Sequence, residues 1–243
     1  MDIKISGSGH IAAGEYENIR ISGSGQLKGF VRCENLHVSG SAIGAELVCK
    51  NELHVSGSGR FSKAIQARSM SISGSFSCAG SLTADEKITC SGGIKCEDNV
   101  KCATLSVSGG LSVSGDVEAE TISVRGHLNC DGLINAEELT IESNEEMQIG
   151  SIGGSKIAIY RHVNAKTPFR LPLLSSLLKS FHGTVFVRNA IEGDTIALED
   201  VNAPRVSGRE VAIGEGCEIE LVQYSEKIEV SPNAKVGRIE KIG

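Results

Sequence analysis

The chain has 243 residues, a net charge of −6, no tryptophan and an aromatic content of 4%. An aromatic-lined enzyme pocket is therefore unexpected, and the core has to be built from small aliphatic side chains. Charged residues make up 22%, which is ordinary for a folded protein and outside the composition of disordered chains. The sequence shows no signal peptide, and no apolar run approaches the length of about 20 residues that a membrane-spanning helix needs. The expected location is therefore the cytoplasm.

Acidic side chains concentrate in the middle third of the chain. Residues 76–150 carry 4 basic and 13 acidic side chains. A chain with this distribution offers no continuous basic surface for neutralising phosphates. Nucleic acid is therefore not expected as a partner.

An apolar-x-apolar unit, usually followed by Ser-Gly, recurs at intervals of 16 to 18 residues. Each interval holds two further units of the same kind, as in residues 111–113 and 117–119, so each repeat contains three short strands. Three strands and three corners in about 17 residues predict one turn of a triangular parallel β-helix. The second apolar residues of the recurring unit are Ile5, Ile21, Val38, Val55, Ile72, Cys90, Val107, Val124 and Ile141.

The Ser-Gly pairs are predicted to be corners, because a turn of about 120° in two or three residues needs a positive φ, which glycine adopts readily. A phosphate-binding loop is the alternative for residues 23–25 and their copies. Those copies lack the Gly-Lys-Ser/Thr ending and the helical pattern that such a loop requires. We expect no nucleotide and no other cofactor.

The repeat continues at residues 157–159 and resumes at residues 185–187, where Val187 fits the second strand of the turn that Ile159 begins. The chain therefore divides into N-terminal rungs 1–159, an inserted segment 160–184 and C-terminal rungs 185–243 of the same solenoid. This count gives 13 rungs. At about 4.8 Å per rung, the predicted rod is roughly 60 Å long.

The inserted segment differs in character from the repeats around it. It carries Arg161, Lys166, Arg170 and Lys179 and no acid, and Pro172 precedes apolar residues at helical spacing. A basic amphipathic helix suits a membrane surface or the groove of a partner, whereas a flap on the solenoid's own side and a disordered loop are the alternatives. The residues predicted to make the membrane or partner contact are Phe169, Leu173, Leu174, Leu177, Leu178 and Phe181.

Eight cysteines raise the question of a metal site, but no Cys-x-x-Cys occurs. Aligned on the repeat, all eight fall at inward positions, so we interpret them as small buried hydrophobic residues and predict no metal site. They are Cys33, Cys49, Cys78, Cys90, Cys96, Cys102, Cys130 and Cys217.

Two groups of polar residues are candidate sites. His37 and His54 should stack on the outer face, where two histidines without a third ligand indicate solvated side chains more than a metal site. The acids near the central corners could form a carboxylate site of a glycoside-cleaving β-helix, but the sequence supplies no large loops to wall a cleft, and we interpret them as a solvated face. These acids are Asp85, Glu86, Glu118, Glu120, Glu137, Glu138, Glu145 and Glu146.

The chain resembles the bactofilins, a family of polymer-forming bacterial cytoskeletal proteins. The resemblance is carried by the Ser-Gly rungs at residues 22, 39, 56, 73 and 108 and by the intervening rung Gly-Asp-Val-Glu-Ala at 115–119. The C-terminal runs 191–196, 206–208 and 213–219 are similar to a Gram-positive branch. The resemblance implies a right-handed, three-sided, single-stranded β-helix that polymerises end to end, without nucleotide, into nonpolar filaments. It also implies a role in cell shape, envelope or motility machinery.

Polymerisation agrees with elementary physics, because both ends of a β-helix expose unpaired backbone groups and open apolar layers. We therefore predict a non-enzymatic homopolymer, with a paralogous bactofilin as a candidate second subunit. Segment 160–184 would replace the family's N-terminal peptide as the contact to the inner face of the membrane. The predicted polymer interface consists of Ile3, Ile5, Ile11, Val230, Val236, Ile239 and Ile242.

Other classes of protein remain as alternatives to the polymer. They are a non-polymerising scaffold in a hetero-assembly, a β-helix enzyme, and a secreted adhesin. The missing signal peptide and the eight thiols disfavour the adhesin. A hexapeptide acyltransferase would need a six-residue repeat, which is not seen.

Overall fold

The chain winds into a parallel β-solenoid of about 13 turns, so the predicted all-β fold is confirmed. The computed structural model describes residues 1–143, 145–161 and 183–243. Strands of successive turns pair in parallel along the length of the solenoid. No helix occurs in these described ranges.

The strands of the first half follow one another with short corners between them. They are β1 (Ile3–Ile5), β2 (Ser8–Ile11), β3 (Gly14–Ile21), β4 (Ser24–Leu27), β5 (Phe30–Val38), β6 (Ser41–Gly44), β7 (Glu46–Val55), β8 (Ser58–Phe61), β9 (Ile65–Ile72), β10 (Ser75–Cys78), β11 (Leu82–Cys90) and β12 (Gly93–Cys96).

The strands of the second half include several long ones that bend around a corner. They are β13 (Val100–Lys101), β14 (Thr104–Val107), β15 (Gly110–Val113), β16 (Val117–Val124), β17 (His127–Ser143), β18 (Met147–Arg161), β19 (Val185–Val187), β20 (Ile191–Leu198), β21 (Val201–Ile213), β22 (Glu218–Val230) and β23 (Lys235–Lys241).

Three faces run along the solenoid, and we number them in the order in which the chain enters them. Face 1 begins with Ile3, which pairs with Ile19 one turn later; face 2 begins at Ser8, which pairs with Ser24. Face 3 begins at Gly14, which pairs with Val31. The partners are 16 or 17 residues apart, as the repeat predicts.

The small variation in repeat length is absorbed at a corner. Between β5 and β7 the register shifts between Cys33 and Leu36, and between β9 and β11 it shifts between Ala84 and Lys87. Both shifts lie between face 3 and face 1, whereas the shift between β17 and β18, from Cys130 to Leu133, lies between face 2 and face 3. Because each extra or missing residue is confined to a corner, the inward columns stay aligned on both sides of it.

The solenoid continues across the interruption after β18. Met147 pairs with Val185 and Ile149 with Val187 on face 2, which confirms that Val187 belongs to the second strand of its turn. Residues 162–182, including the predicted contacts Phe169, Leu173, Leu174, Leu177, Leu178 and Phe181, lie outside the described residues. The division into 1–159, 160–184 and 185–243 stays a prediction.

The interior is one continuous column of aliphatic, thiol and a few aromatic side chains. Phe61 and Phe76 lie on successive turns of face 2 with ring centroids 5.7 Å apart. Small neighbours make room for these rings, since a Cβ at Gly44 would lie 2.9 Å from Cε1 of Phe61. Burial of these side chains supplies the main favourable term for folding.

The Ser-Gly corners lie where the sequence predicts, but the expected reason for their glycines is wrong. Among the described residues, a positive φ occurs at Gly14, Gly29, Asp200 and Gly216, none of which is a Ser-Gly corner. A Cβ at such a corner glycine, for example Gly57, would collide with the backbone of the corner one turn earlier. Glycine is needed there because successive corners stack in backbone contact.

Candidate functional site at the ends of the solenoid

The inward columns of the core reach the surface at the C-terminal end. Val230, Ile239 and Ile242 are 39%, 47% and 39% exposed, while Val236 is partly buried and packs against the core. Val230 pairs with Ile213 and Ile239 with Val222, both of which are buried. The last turn therefore presents an apolar layer of the same kind as the interior.

The N-terminal end is more closed than the sequence predicts. Ile3 is partly buried, but Ile5 and Ile11 are only 9% and 2% exposed. Tyr16 occupies the inward column of Cys33, packs against the core and donates its hydroxyl to the carbonyl of Ala12 at 3.0 Å. A tyrosine in the first turn thus covers part of the layer that aliphatic residues were expected to expose.

Both ends also carry unpaired strand edges. Within the described residues, β1 pairs with β3 and β23 pairs with β22, each along one edge. The free edge presents backbone donors and acceptors that a further parallel strand could satisfy. The C-terminal end therefore combines an exposed apolar layer with a free edge, and the N-terminal end offers mainly a free edge. The predicted interface role of these residues stays a prediction.

An ion pair that sequence reasoning missed lies where β18 ends. Arg161 Nε is 2.7 Å from Asp200 Oδ2, and Arg161 Nη2 is 3.0 Å from Oδ1. The hydrogen bond to Asp200 raises the pKa of Arg161. The two residues are 39 positions apart, and the only hint in the sequence is a Glu-Asp pair at a corner that holds Ser-Gly in the first seven turns. A helix long and apolar enough to span a bilayer is not found among the described residues.

The cysteines are buried free thiols, which confirms their interpretation as small core residues. Burial raises the pKa of Cys78 and of Cys90 to about 11 and that of Cys102 to about 12. The predicted columns are confirmed as well, since Cys33 pairs with Cys49 and Cys49 with Ala67. In the described ranges, no cluster of three or more His, Cys, Asp or Glu side chains is placed to hold a metal ion.

The predicted histidine stack is confirmed on face 1. The rings of His37 and His54 have centroids 4.4 Å apart and an interplanar angle of 28°. Partial burial, followed by the charge of His54, lowers the pKa of His37. His37 therefore favours the neutral form, and no carboxylate or thiol completes a metal site around the two rings in the described structure.

Four of the eight central acids, but not Glu86, Glu138, Glu145 or Glu146, lie around an open groove of about 690 Å³ at the corner between face 3 and face 1. Asp85, Glu118, Glu120 and Glu137 line it, and Lys101 Nζ lies 2.7 Å from Glu118 Oε1. The described lining contains no aromatic side chain that could stack on a sugar ring. The geometry therefore favours a solvated acidic face over a walled carboxylate site.

Comparison with known proteins finds a family match in the N-terminal half of the chain. The bactofilin family model, described as polymer-forming and cytoskeletal, matches residues 34–115. A solved structure, the C-terminal domain of tapirin from Caldicellulosiruptor hydrothermalis, aligns with 99% of this chain and 56% of its own, at 16% identity and a TM-score of 0.25.

Two curated relatives come from Bacillus subtilis (strain 168). The uncharacterized protein YhbF is 30% identical over 94 residues, which cover 39% of this chain and 34% of the relative. The uncharacterized protein YhbE is 39% identical over 61 residues, which cover 25% of this chain and 26% of the relative. The matched stretch thus spans only about a third or a quarter of these relatives. The family match over residues 34–115 nevertheless confirms the resemblance carried by the repeats in this part of the solenoid.

Proposed function

We propose that this protein is a structural cytoskeletal subunit that self-assembles end to end, without nucleotide, into filaments. The filaments would act as a scaffold for cell shape, envelope or motility machinery. The observation that carries the proposal is the exposed apolar layer of Val230, Ile239 and Ile242 on a free strand edge. The bactofilin domain at residues 34–115 supports it, because that family is polymer-forming.

The proposed role is not enzymatic. The thiols are buried, and four of the central acids line an open groove with an ion pair between Lys101 and Glu118. By contrast, the ends of the solenoid carry apolar surface that association would remove from water and unpaired backbone groups that a second strand could bond. We therefore place the function at the ends of the solenoid, in a cytoplasmic protein.

Negative-stain electron microscopy of the purified, tag-free protein without nucleotide tests the proposal. We expect filaments about as thick as one solenoid or a few laterally associated ones. A monodisperse monomer at the same concentration would contradict the homopolymer. A monomer would favour the second candidate function, a scaffold that works in a hetero-assembly. In that case, mixing the protein with a paralogous bactofilin should produce mixed filaments.

We further propose that segment 160–184 attaches these filaments to the inner face of the cell membrane or to a protein partner. Its four basic residues, its lack of acids and its leucines favour this contact. Sedimentation with anionic liposomes tests it: the double variant Leu174→Ser/Leu178→Ser should lose binding, whereas Leu133→Ser, an exposed leucine on the body, should retain it. Equal binding by both variants would contradict a membrane role for the segment.

A further inference from the structure

Two of the eight buried thiols lie next to each other on successive turns. Cys33 and Cys49 occupy the same inward column and pair directly across the parallel ladder between β5 and β7. Their Sγ atoms are 3.8 Å apart, and the Cys33 thiol donates a hydrogen bond to the Cys49 sulfur. Paired residues of neighbouring strands lie about 4.8 Å apart, which is within the Cα separation that a disulfide spans. The backbone of these two turns is therefore already placed for an S–S bond.

A second pair of stacked cysteines is arranged differently. Cys78 pairs with Cys96 across the ladder of face 2. The Cys78 thiol donates to the carbonyl of Lys63 at 3.0 Å, and the Cys96 thiol donates to the carbonyl of Asp98 at 3.3 Å. Both thiols of that pair are bonded to backbone oxygens, so the pair on face 2 serves as an internal control for stacking alone.

The pair of Cys33 and Cys49 lies beneath an exposed corner. The Cys49 thiol contacts the carbonyl of Glu52 at 3.0 Å, and Lys50, Asn51 and Glu52 are all exposed. The register between β7 and β9 shifts at this point, because β7 has one residue more at the corner than β9. Exposed corners open locally at a lower cost in free energy than buried strands. Opening of this corner gives a small oxidant access to Cys49 without unwinding a whole turn.

The contact between the two sulfur atoms also makes them chemically unequal. The hydrogen bond from the Cys33 thiol lowers the pKa of Cys49, whereas burial acts in the opposite direction. The same contact, together with burial, raises the pKa of Cys33. Because the thiolate is the form of cysteine that reacts with oxidants, Cys49 is the nucleophile of the pair and Cys33 the neighbouring thiol that resolves an oxidised intermediate.

We propose that Cys33 and Cys49 form a modification site at which a hydroperoxide links two successive turns of the solenoid through a reversible disulfide. The Cys49 sulfur attacks one peroxide oxygen, the O–O bond breaks, and the other oxygen leaves with the Cys49 proton as water or an alcohol. The Cys33 sulfur then attacks the sulfenic acid, forms the S–S bond and releases the sulfenic oxygen, with the Cys33 proton, as water. The peroxide takes up the two electrons that the thiols lose, and a thiol reductant reverses the reaction. The site does not depend on filament formation.

Mass spectrometry of the full chain after treatment with hydrogen peroxide tests the proposal. Cleavage at arginine and lysine yields residues 33–50 as one peptide that contains both cysteines. We expect this peptide to lose the hydrogen atoms of both thiols, to resist alkylation, and to regain both properties after dithiothreitol. Cleavage after Glu46 should then leave two fragments that stay joined until they are reduced. A peptide that remains fully alkylated after peroxide would overturn the proposal.

Two variants provide matched controls. Cys49→Ala copies Ala67, the next residue of the same column, so it should fold normally and leave Cys33 without a disulfide partner. Cys96→Ala removes a thiol of the control pair and should leave the disulfide between Cys33 and Cys49 unchanged. Equal linkage of Cys78 to Cys96 in the parent protein would show that any stacked pair reacts, and would contradict a specific site.

The disulfide should also make the protein harder to unfold. It closes a ring from residue 33 to residue 49, which restricts the unfolded chain more than the folded one. We expect a higher urea midpoint for the peroxide-treated parent, a return to the original midpoint after dithiothreitol, and no shift for Cys49→Ala. A lower midpoint of the linked parent would show that the disulfide strains the corner, and would exclude a stabilising link between the two turns.

Discussion

Arg161 and Asp200 hold the two sides of the interruption together. Their two hydrogen bonds, at 2.7 and 3.0 Å, link the last residue of β18 to the corner before β21, and the Asp200 carbonyl accepts the Val185 amide at 3.0 Å. Asp200 is only 6% exposed and has a φ of 51°, a conformation that asparagine and aspartate tolerate better than most residues. Asp200 therefore connects Arg161, on the N-terminal side of the interruption, and Val185, on its C-terminal side, to the turn that follows.

We expect Asp200→Asn to lower the free energy of unfolding by about 2 kcal/mol, because asparagine keeps the backbone conformation but leaves the guanidinium without its charged partner. Urea unfolding followed by circular dichroism measures the change. The matched control is Glu97→Gln, which removes the partner of the exposed Lys95 and should cost less than about 0.5 kcal/mol. Equal effects of the two changes would mean that the pair at Asp200 has no special role.

Two adjacent glycines provide a test of the corner stacking. A Cβ at Gly109 would collide with the carbonyl of Gly92, whereas a Cβ at Gly110 meets nothing within 4 Å. Gly109→Ala should therefore cost about 3 kcal/mol or more, since the backbone of a whole corner has to move, and Gly110→Ala should stay within about 0.5 kcal/mol of the parent. Thermal unfolding of both variants gives the comparison. A similar loss in the two would show that the stacked corner is not the reason for the glycine.

Stability should fall in alkaline solution because of the buried thiols. The pKa of Cys90 rises from 9.0 to about 11 on burial, so below pH 9 the thiol is protonated in both states and has no effect. Between pH 9 and 11 the unfolded chain releases a proton that the folded chain retains, and stability falls by up to about 1.4 kcal/mol per pH unit for such a thiol. Urea unfolding at pH 8, 9, 10 and 11 should show this decline.

The contribution of one thiol can be isolated with Cys90→Val, which matches the valine at the next position of the column, Val107. The variant should lose less stability than the parent between pH 9 and 11, and the lysines and tyrosines, which both proteins share, cancel in the difference. Identical pH profiles of parent and variant would contradict the assignment to Cys90.

Filament formation should depend on Ile239. Ile239→Arg places a charge in the apolar layer of the last turn, so we expect a folded monomer or short oligomers by analytical ultracentrifugation and electron microscopy. Ile43→Arg, a change at a residue 50% exposed on the body, serves as the control and should leave the filaments intact. Normal filaments of Ile239→Arg would exclude the C-terminal end as the interface.

Most of the fold follows from the spacing of apolar residues. Because one turn is a nearly constant number of residues, the positions that pair with Ile5 or with Cys49 can be counted directly along the sequence, and the structure confirms both columns. The cysteines could be assigned for the same reason, since an inward column accepts alanine, cysteine or valine alike.

Other features could not be predicted because they depend on contacts with no fixed spacing. The pair of Arg161 and Asp200 joins residues on either side of the interruption, where the count is broken. Tyr16 is much larger than Cys33 and Cys49, the next residues of its column, but its contact with the core depends on how its side chain lies in the first turn, which the repeat spacing does not give. The role of the corner glycines depends on the distance between successive backbones, which a one-dimensional pattern does not contain.

The interruption has a consequence for any filament built from this subunit. Ile157 pairs with Ile196 and Ile149 with Val187 across it, so a long detour at one corner leaves the rise of the solenoid unchanged. In a filament, that corner would recur once per protomer, at an average spacing of roughly 60 Å if each of the turns rises about 4.8 Å. The length of the solenoid would then set the spacing between successive attachment points, independently of what is attached there.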